Sequence, residues 1–237
     1  IRQQGFQETD IVAMAQAITK GAWCVEDAAT FPAMLDAAFR LAVAGRPGPV
    51  LLDIPMDVQR CEVGVSVAEE RARDVAGAAF PALREDVQAS LAALAGARRP
   101  LILAGGGIRS ACAVDRFRSW AERMGIPVAC SLMGLDVLPS SHPLRVGLVG
   151  TNGNRWANKA VSEADVILVL GSRLDIRQTG SDVRGFARQQ IFHVDCVAAQ
   201  INNRVKGCIS IVAGIYDFLE TACDLPCSGD NLRHRAW

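Results

Sequence analysis

The chain has 237 residues, half of them apolar, with 25 Lys and Arg against 25 Asp and Glu. A chain of that length and composition folds and buries a core, which excludes a disordered tail, and its zero formal charge argues against nucleic acid or an anionic membrane as the main partner. Eight cysteines form no CxxC pair and no Cys/His array with zinc spacing, so the reading is buried, reduced thiols, no metal site and a cytoplasmic setting. No apolar stretch approaches the roughly 20 residues that span a bilayer, and no signal peptide opens the chain. A start at Ile1, in mid-motif, is expected of a segment of a longer protein.

In chain order, residues 26–44 place Phe31, Met34, Leu35, Ala38, Phe39 and Ala42 at helical spacing, with Pro32 in the first turn and Gly45 as the stop. The helix leads into Pro49-Val50-Leu51-Leu52-Asp53-Ile54-Pro55, an apolar run expected to be a strand buried on both faces. Residues 62–80 mix charges with small residues and read as a connection between domains. A regular alternation follows: helix 84–96, strand 101–104, helix 109–124, strand 127–131, a looser segment with Pro139 and Pro143, helix 155–163, strands 166–170 and 191–195, and a last strand and helix over 209–223. Alternation of this kind predicts an α/β fold, a parallel sheet with helices on both faces, plus part of a second α/β domain.

In an open parallel sheet ligands bind beyond the carboxyl ends of the strands. There the sequence puts Gly105-Gly106-Gly107, which would let backbone amides approach a phosphate at a helix N-terminus, or would make a tight turn with no ligand. A second strand end delivers Arg173, Asp175 and Arg177: a planar fork for phosphate and an acceptor for a ribose hydroxyl, or an Arg–Asp pair stapling the loop. His142, His193 and His234 stand without a base or metal partner and read as structural, so no nucleophile or general base emerges.

Phe6-Gln7-Glu8, Thr19-Lys20, Gly45-Arg46-Pro47-Gly48-Pro49-Val50 with Asp53-Ile54-Pro55, the glycine triplet, and Gly171-Ser172-Arg173-Leu174-Asp175 occur in an order that resembles thiamine-diphosphate-dependent enzymes of the acetolactate synthase large-subunit type. The resemblance implies the end of a pyrimidine-binding domain over 1–61, a linker over 62–81, a central domain of Rossmann-like form over 82–225, and a tail over 226–237 leading to a further domain. It implies a 2-oxo acid decarboxylase and carboligase, in which a pyruvate-derived enamine condenses with a second carbonyl compound. The family's activating glutamate and its diphosphate–magnesium motif fall outside this stretch, so the segment alone would not turn over. A homodimer or homotetramer is implied, with Phe6 and Gln7 approaching the thiamine site.

By the same resemblance Arg46, Gly105, Gly106, Gly107, Leu132, Met133, Gly150, Asn152, Gly171, Ser172, Arg173, Asp175, Arg177, Asp195 and Cys196 line a central-domain crevice for FAD, with ADP or nothing as the other occupants. The sequence departs from the family where Asn152 replaces a histidine, Met56 a lysine, and Ile176, Val197 and Gly214 acidic residues. Gly153-Asn154-Arg155-Trp156-Ala157-Asn158 and Arg177-Gln178-Thr179-Gly180 look more like relatives that act on nucleotide-linked keto-sugars, which stays open as an alternative, as does a non-catalytic nucleotide-binding module.

Overall fold

In a computed structural model, which describes residues 9–64, 82–186 and 189–226, the backbone divides into two units, Ile1–Ala76 and Gly77–Trp237. The linker expected over 62–81 and the tail over 226–237 lie almost wholly outside the described residues.

In the first unit, helix α1 (Ile11–Gln16) is capped by Asp10, whose carboxylate accepts from the Ala13 amide at 3.0 Å. Strand β1 (Ala22–Cys24) runs parallel to β2 (Leu51–Asp53), and α2 (Phe31–Val43) makes the crossover between them. Pro32 occupies the first turn of α2, and the chain turns away after Val43 through Gly45 at φ +55°. The short α3 (Met56–Gln59) follows. Residues 26–30, expected to be helical, instead form an extended approach and a single 3-10 turn (Ala28–Thr30) capped by Asp27. The strand expected to be buried on both faces is half-buried throughout, because among the described residues it has one neighbouring strand and α2 buries little beyond Ala38, leaving Phe39 exposed.

The second unit begins with α4 (Leu83–Gly96) and continues through β3 (Pro100–Ala104), α5 (Gly107–Ser110), α6 (Val114–Met124), β4 (Val128–Cys130), β5 (Arg145–Leu148), α7 (Arg155–Glu163), β6 (Val166–Leu170), α8 (Ile176–Thr179), β7 (Gln190–Asp195), β8 (Ile209–Val212) and α9 (Ile215–Asp224). Its six strands form one parallel sheet in the order β5-β4-β3-β6-β7-β8. Every residue of β3 and β6 is buried, which only a sheet covered on both faces allows. Ile102, Ala104, Leu168, Leu170, Phe192 and Val194 share one core with Leu94, Phe117, Trp120 and Phe218, from α4, α6 and α9. Leu101, Leu103, Ile167, Val169 and Ile191 point the other way, into a core with Ala157 and Val161 of α7 and with Phe186 and Ile201. Each fully buried Leu, Ile or Phe contributes on the order of 1.5–3 kcal/mol.

Two expectations fail here. The helix expected over 109–124 is broken into α5 and α6 by residues 111–113, where Cys112 takes the left-handed region at φ +52°. The segment expected to be loose contains β5, a partly exposed strand whose pairing with β4 shifts register between Val128 and Ala129.

Candidate functional site

The strand order reverses between β3 and β6: the chain builds outward from β3 to β5, crosses back through α7, and builds outward again from β6 to β8. The loops that leave the carboxyl ends of β3 and β6 are therefore neighbours, at the position where open α/β sheets take ligands.

These two loops touch through glycine. The Gly105 amide donates to Leu170 O and the Gly107 amide to Gly171 O, both at 2.9 Å. A Cβ on Gly105 would lie 2.2 Å from Gly171 O, and one on Gly107 2.6 Å from Gly171 Cα. Two of the three amides expected to approach a phosphate are thus already donors within the protein. The helix that follows is the single turn α5, not the long helix whose N-terminus the sequence suggested. Gly106 lies against Met133, whose Cβ would be 2.9 Å from an added methyl.

The loop after β6 is stitched at several points. Ser172 is buried, and its hydroxyl donates to Gln178 Oε1 at 2.7 Å. Asp175 caps α8: its Oδ1 accepts from the amides of Arg177 at 2.9 Å and Gln178 at 3.2 Å. The alternative of an Arg–Asp staple is replaced by this side chain-to-backbone cap. Between them Leu174 sits at φ +50° with its side chain buried, a conformation costing on the order of 1–3 kcal/mol for a bulky residue. Arg204 reaches in from the segment before β8 to Thr179 Oγ1 at 2.9 Å and Gly180 O at 2.5 Å. Arg173 and Arg177 are exposed, and among the described residues neither guanidinium has an acidic partner.

Below this loop, on β7, His193 is buried with Nε2 2.7 Å from Ser172 O. A carbonyl oxygen only accepts, so Nε2 carries the proton and Nδ1 is the bare acceptor of the neutral ring. Burial pushes the His193 pKa below its ordinary value, against the Ser172 carbonyl and the Asp195 carboxylate, which favour the proton. Asp195 is itself buried at the end of β7, its Oδ1 accepting from the Val197 amide at 2.9 Å, and Cys196 beyond it is exposed.

At the end of β4, Leu132 and Met133 are exposed on a 3-10 turn. At the end of β5, Gly150 takes φ +106°, and a Cβ there would stand 2.0 Å from Arg177 O, to which the Thr151 amide donates at 2.8 Å. Asn158 clamps Gly150 with two bonds: its Oδ1 accepts from the Gly150 amide at 2.8 Å and its Nδ2 donates to the Gly150 carbonyl at 2.9 Å. Asn152 is exposed in the turn between them.

The structure thus gathers the candidates at 105–107, 132–133, 150–152, 171–177 and 195–196 on the carboxyl ends of five strands of one sheet. Arg46 belongs to the first unit, where its carbonyl accepts from Lys20 Nζ at 3.1 Å. Phe6 and Gln7 lie outside the described residues. Sequence reasoning passed over Arg204, placed Asn158 and Gln178 only in the motifs of the keto-sugar alternative and not as partners of Gly150 and Ser172, and read His193 as structural; a histidine two residues before a strand-end aspartate was the available signal. Among the described residues no three His, Cys, Asp or Glu side chains are grouped to hold a metal ion, and no helix is long and apolar enough to cross a membrane.

Comparison with known proteins places this architecture. Residues 87–222 match the thiamine pyrophosphate enzyme central domain. The chain is 36% identical over 215 residues to the acetolactate synthase large subunit of Lactococcus lactis, covering 91% of this chain and 37% of that one. It is 35% identical over 219 residues to the acetolactate synthase isozyme 1 large subunit of Escherichia coli, covering 92% of this chain and 38% of that one. It is 38% identical over 216 residues to a probable acetolactate synthase large subunit of Methanocaldococcus jannaschii, covering 90% and 36%. The chain therefore spans well under half the length of these relatives. Since the central-domain match takes in more than half of its residues, this chain belongs to the thiamine pyrophosphate enzyme family.

Proposed function

We propose that the chain is the inner segment of a thiamine-diphosphate-dependent carboligase of acetolactate synthase type, running from the end of the pyrimidine-binding domain through the central domain. The observation that carries this reading is continuity: identity of 35–38% to acetolactate synthase large subunits extends over nine-tenths of the chain, not over the glycine motifs alone. Thiamine diphosphate, with magnesium, supplies the carbanion chemistry that lets a 2-oxo acid lose carbon dioxide and join a second carbonyl compound. In this reading the residues that hold both groups lie outside this stretch, and the whole protein is at least a homodimer.

The residues at the carboxyl rim fit an adenine dinucleotide such as FAD, or ADP, in their donor chemistry. The exposed guanidiniums of Arg173 and Arg177, without acidic partners among the described residues, suit a diphosphate, and exposed Leu132, Met133 and Ile176 suit a flat ring. Asp175 and Asp195 offer less, since each already accepts backbone amides. Decarboxylation followed by condensation is redox-neutral overall, so a flavin here would supply structure rather than electrons.

The keto-sugar alternative draws on residues 153–158 and 177–180, and three of the polar side chains in the first run have partners within the fold. Asn154 Oδ1 accepts from the Leu148 amide, Trp156 Nε1 donates to Val146 O, and Asn158 clamps Gly150. These three polar side chains are thus spent on the fold, whereas Arg155 and Arg177 stay exposed.

The test is the intact protein, supplied with thiamine diphosphate and magnesium and assayed with pyruvate alone and with 2-oxobutyrate, glyoxylate or a keto-sugar. The proposal expects thiamine-dependent release of carbon dioxide with a carbon–carbon-bonded product from the 2-oxo acids. A product from the keto-sugar alone would move the assignment to the alternative acceptor. No thiamine-dependent release under any condition would leave a nucleotide-binding module.

A further inference from the structure

The turn from Ser172 to Asp175 holds a conformation its own sequence does not favour. Leu174 is a bulky residue at φ +50°, and such a backbone persists when the groups around it leave no alternative. Three constraints surround it: its own side chain is buried in the core beneath α7, Asp175 is fixed on one side by capping α8, and Ser172 is fixed on the other by His193. Arg173, the exposed cation of the turn, lies between the last two constraints.

His193 is an expensive residue for its position. It is buried in β7, an interior strand next to the edge strand β8, and its Nδ1 has no hydrogen-bond partner among the described residues, a loss that a leucine there would not incur. What the imidazole provides in return is the single donor Nε2–H, aimed at Ser172 O.

We propose that His193 is a positioning residue: its bond to Ser172 O holds the strained 172–175 turn in the form that presents Arg173 at the carboxyl end of β6, and so sets that rim's affinity for an adenine nucleotide diphosphate. This rests on the reading of the rim as a nucleotide site. The latch works from beneath, through the backbone, and touches no ligand itself. Glutamine carries an amide donor at nearly the distance of Nε2 from the backbone, so His193→Gln keeps the latch, whereas His193→Leu and His193→Met keep volume and remove it.

The experiment compares these three variants with the parent as intact proteins. Backbone hydrogen exchange is followed without added nucleotide, FAD and ADP are titrated separately, and thermal unfolding serves as the folding control. With the latch gone, amides 172–178 exchange faster relative to those of β3 and β6, and affinity for FAD or ADP falls up to about ten-fold, the equivalent of one hydrogen bond. His193→Gln stays close to the parent in both readings. Unchanged exchange in this turn in whichever apolar variant folds overturns the proposal, as does unchanged affinity where the parent binds nucleotide. If the parent binds neither FAD nor ADP, the nucleotide reading of the rim is overturned and takes the affinity role with it.

Discussion

Gly107 and Gly171 meet backbone to backbone: the Gly107 amide donates to the Gly171 carbonyl at 2.9 Å, and a methyl group on Gly107 would come within 2.6 Å of the Gly171 Cα. The contact joins the loops of the two central strands at the point where the sheet reverses its order. Gly107→Ala and Gly105→Ala therefore both force backbone apart, and each is expected to destabilise the protein by about 1–3 kcal/mol, the range for overpacking. Gly96→Ala is the control, since a Cβ there meets nothing within 4 Å and the residue is the last of α4. It should be neutral or slightly stabilising. Denaturant unfolding of the three variants distinguishes close packing from a mere need for flexibility.

Asn158 serves both polar groups of the Gly150 backbone. Asn158→Ala leaves an amide and a carbonyl without these partners, and at about 0.5–1.5 kcal/mol for each hydrogen bond the expected loss is about 1–3 kcal/mol. Asn158→Asp keeps the acceptor and loses the donor, so it should fall between the alanine variant and the parent. Equal stability of all three in chemical denaturation would show that water replaces both bonds without cost.

His193 also gives stability a pH dependence of known sign. Its pKa is lowered in the folded protein, so between the folded value and the ordinary value of about 6.5 the unfolded chain binds more protons. Stability contributed by the neutral ring is complete above about pH 6.5 and is lost as pH falls toward the folded pKa. Asp195, the charged group nearby that favours the proton, moderates the loss. Unfolding free energies of the parent minus those of His193→Gln, measured from pH 8 down to pH 5, should decline with acid; a flat difference contradicts the buried neutral ring.

The cysteines divide by exposure. Burial pushes the Cys130 thiol up to about 11, with Arg145 opposing weakly, and raises Cys208 as well. Cys61, Cys112 and Cys196 are exposed, where the sequence reading was of buried thiols. Brief iodoacetamide treatment of the native protein near pH 8 should modify Cys61 and Cys112 and spare Cys130 and Cys208 until denaturant is added. Peptide mass spectrometry reads the result directly, and labelling of Cys130 in the native protein would mean that the core beneath α6 opens readily.

How much was legible in the sequence depended on whether the signal was local. β6 and α7 lie where their apolar runs put them, because a strand buried on both faces and a helix with a sharp apolar stripe announce themselves in the residues. β5 was invisible: Gly147 sits at φ +134° within it, and the strand is held as much by the Asn154 and Trp156 side chains as by any apolar pattern. The break at Cys112 was equally silent, since cysteine is no usual left-handed residue and nothing nearby marks a stop. At the candidate site, the sequence named the strand-end glycines, arginines and aspartates, but not the partners they have in the fold. Whether Gly107 faces a ligand or Gly171 is decided by a loop that sequence distance hides, and whether Asp175 meets an arginine or caps a helix by a local backbone turn that the residue types leave open.

The adjacency of β3 and β6 also constrains how the molecule comes into being. Their register joins Pro100 to Val166 and Ala104 to Leu170, whereas β4, β6 and β8 each pair with a strand that precedes or follows them closely in the chain. The central seam thus closes the longest loop in the sheet, the kind of contact whose entropy must be met before its reward arrives. The two loops that form the rim come together only when this seam does. A ligand taken up at the rim as proposed would bridge the two halves of the sheet, so it would stabilise the closed seam but would have no half-formed site to bind beforehand.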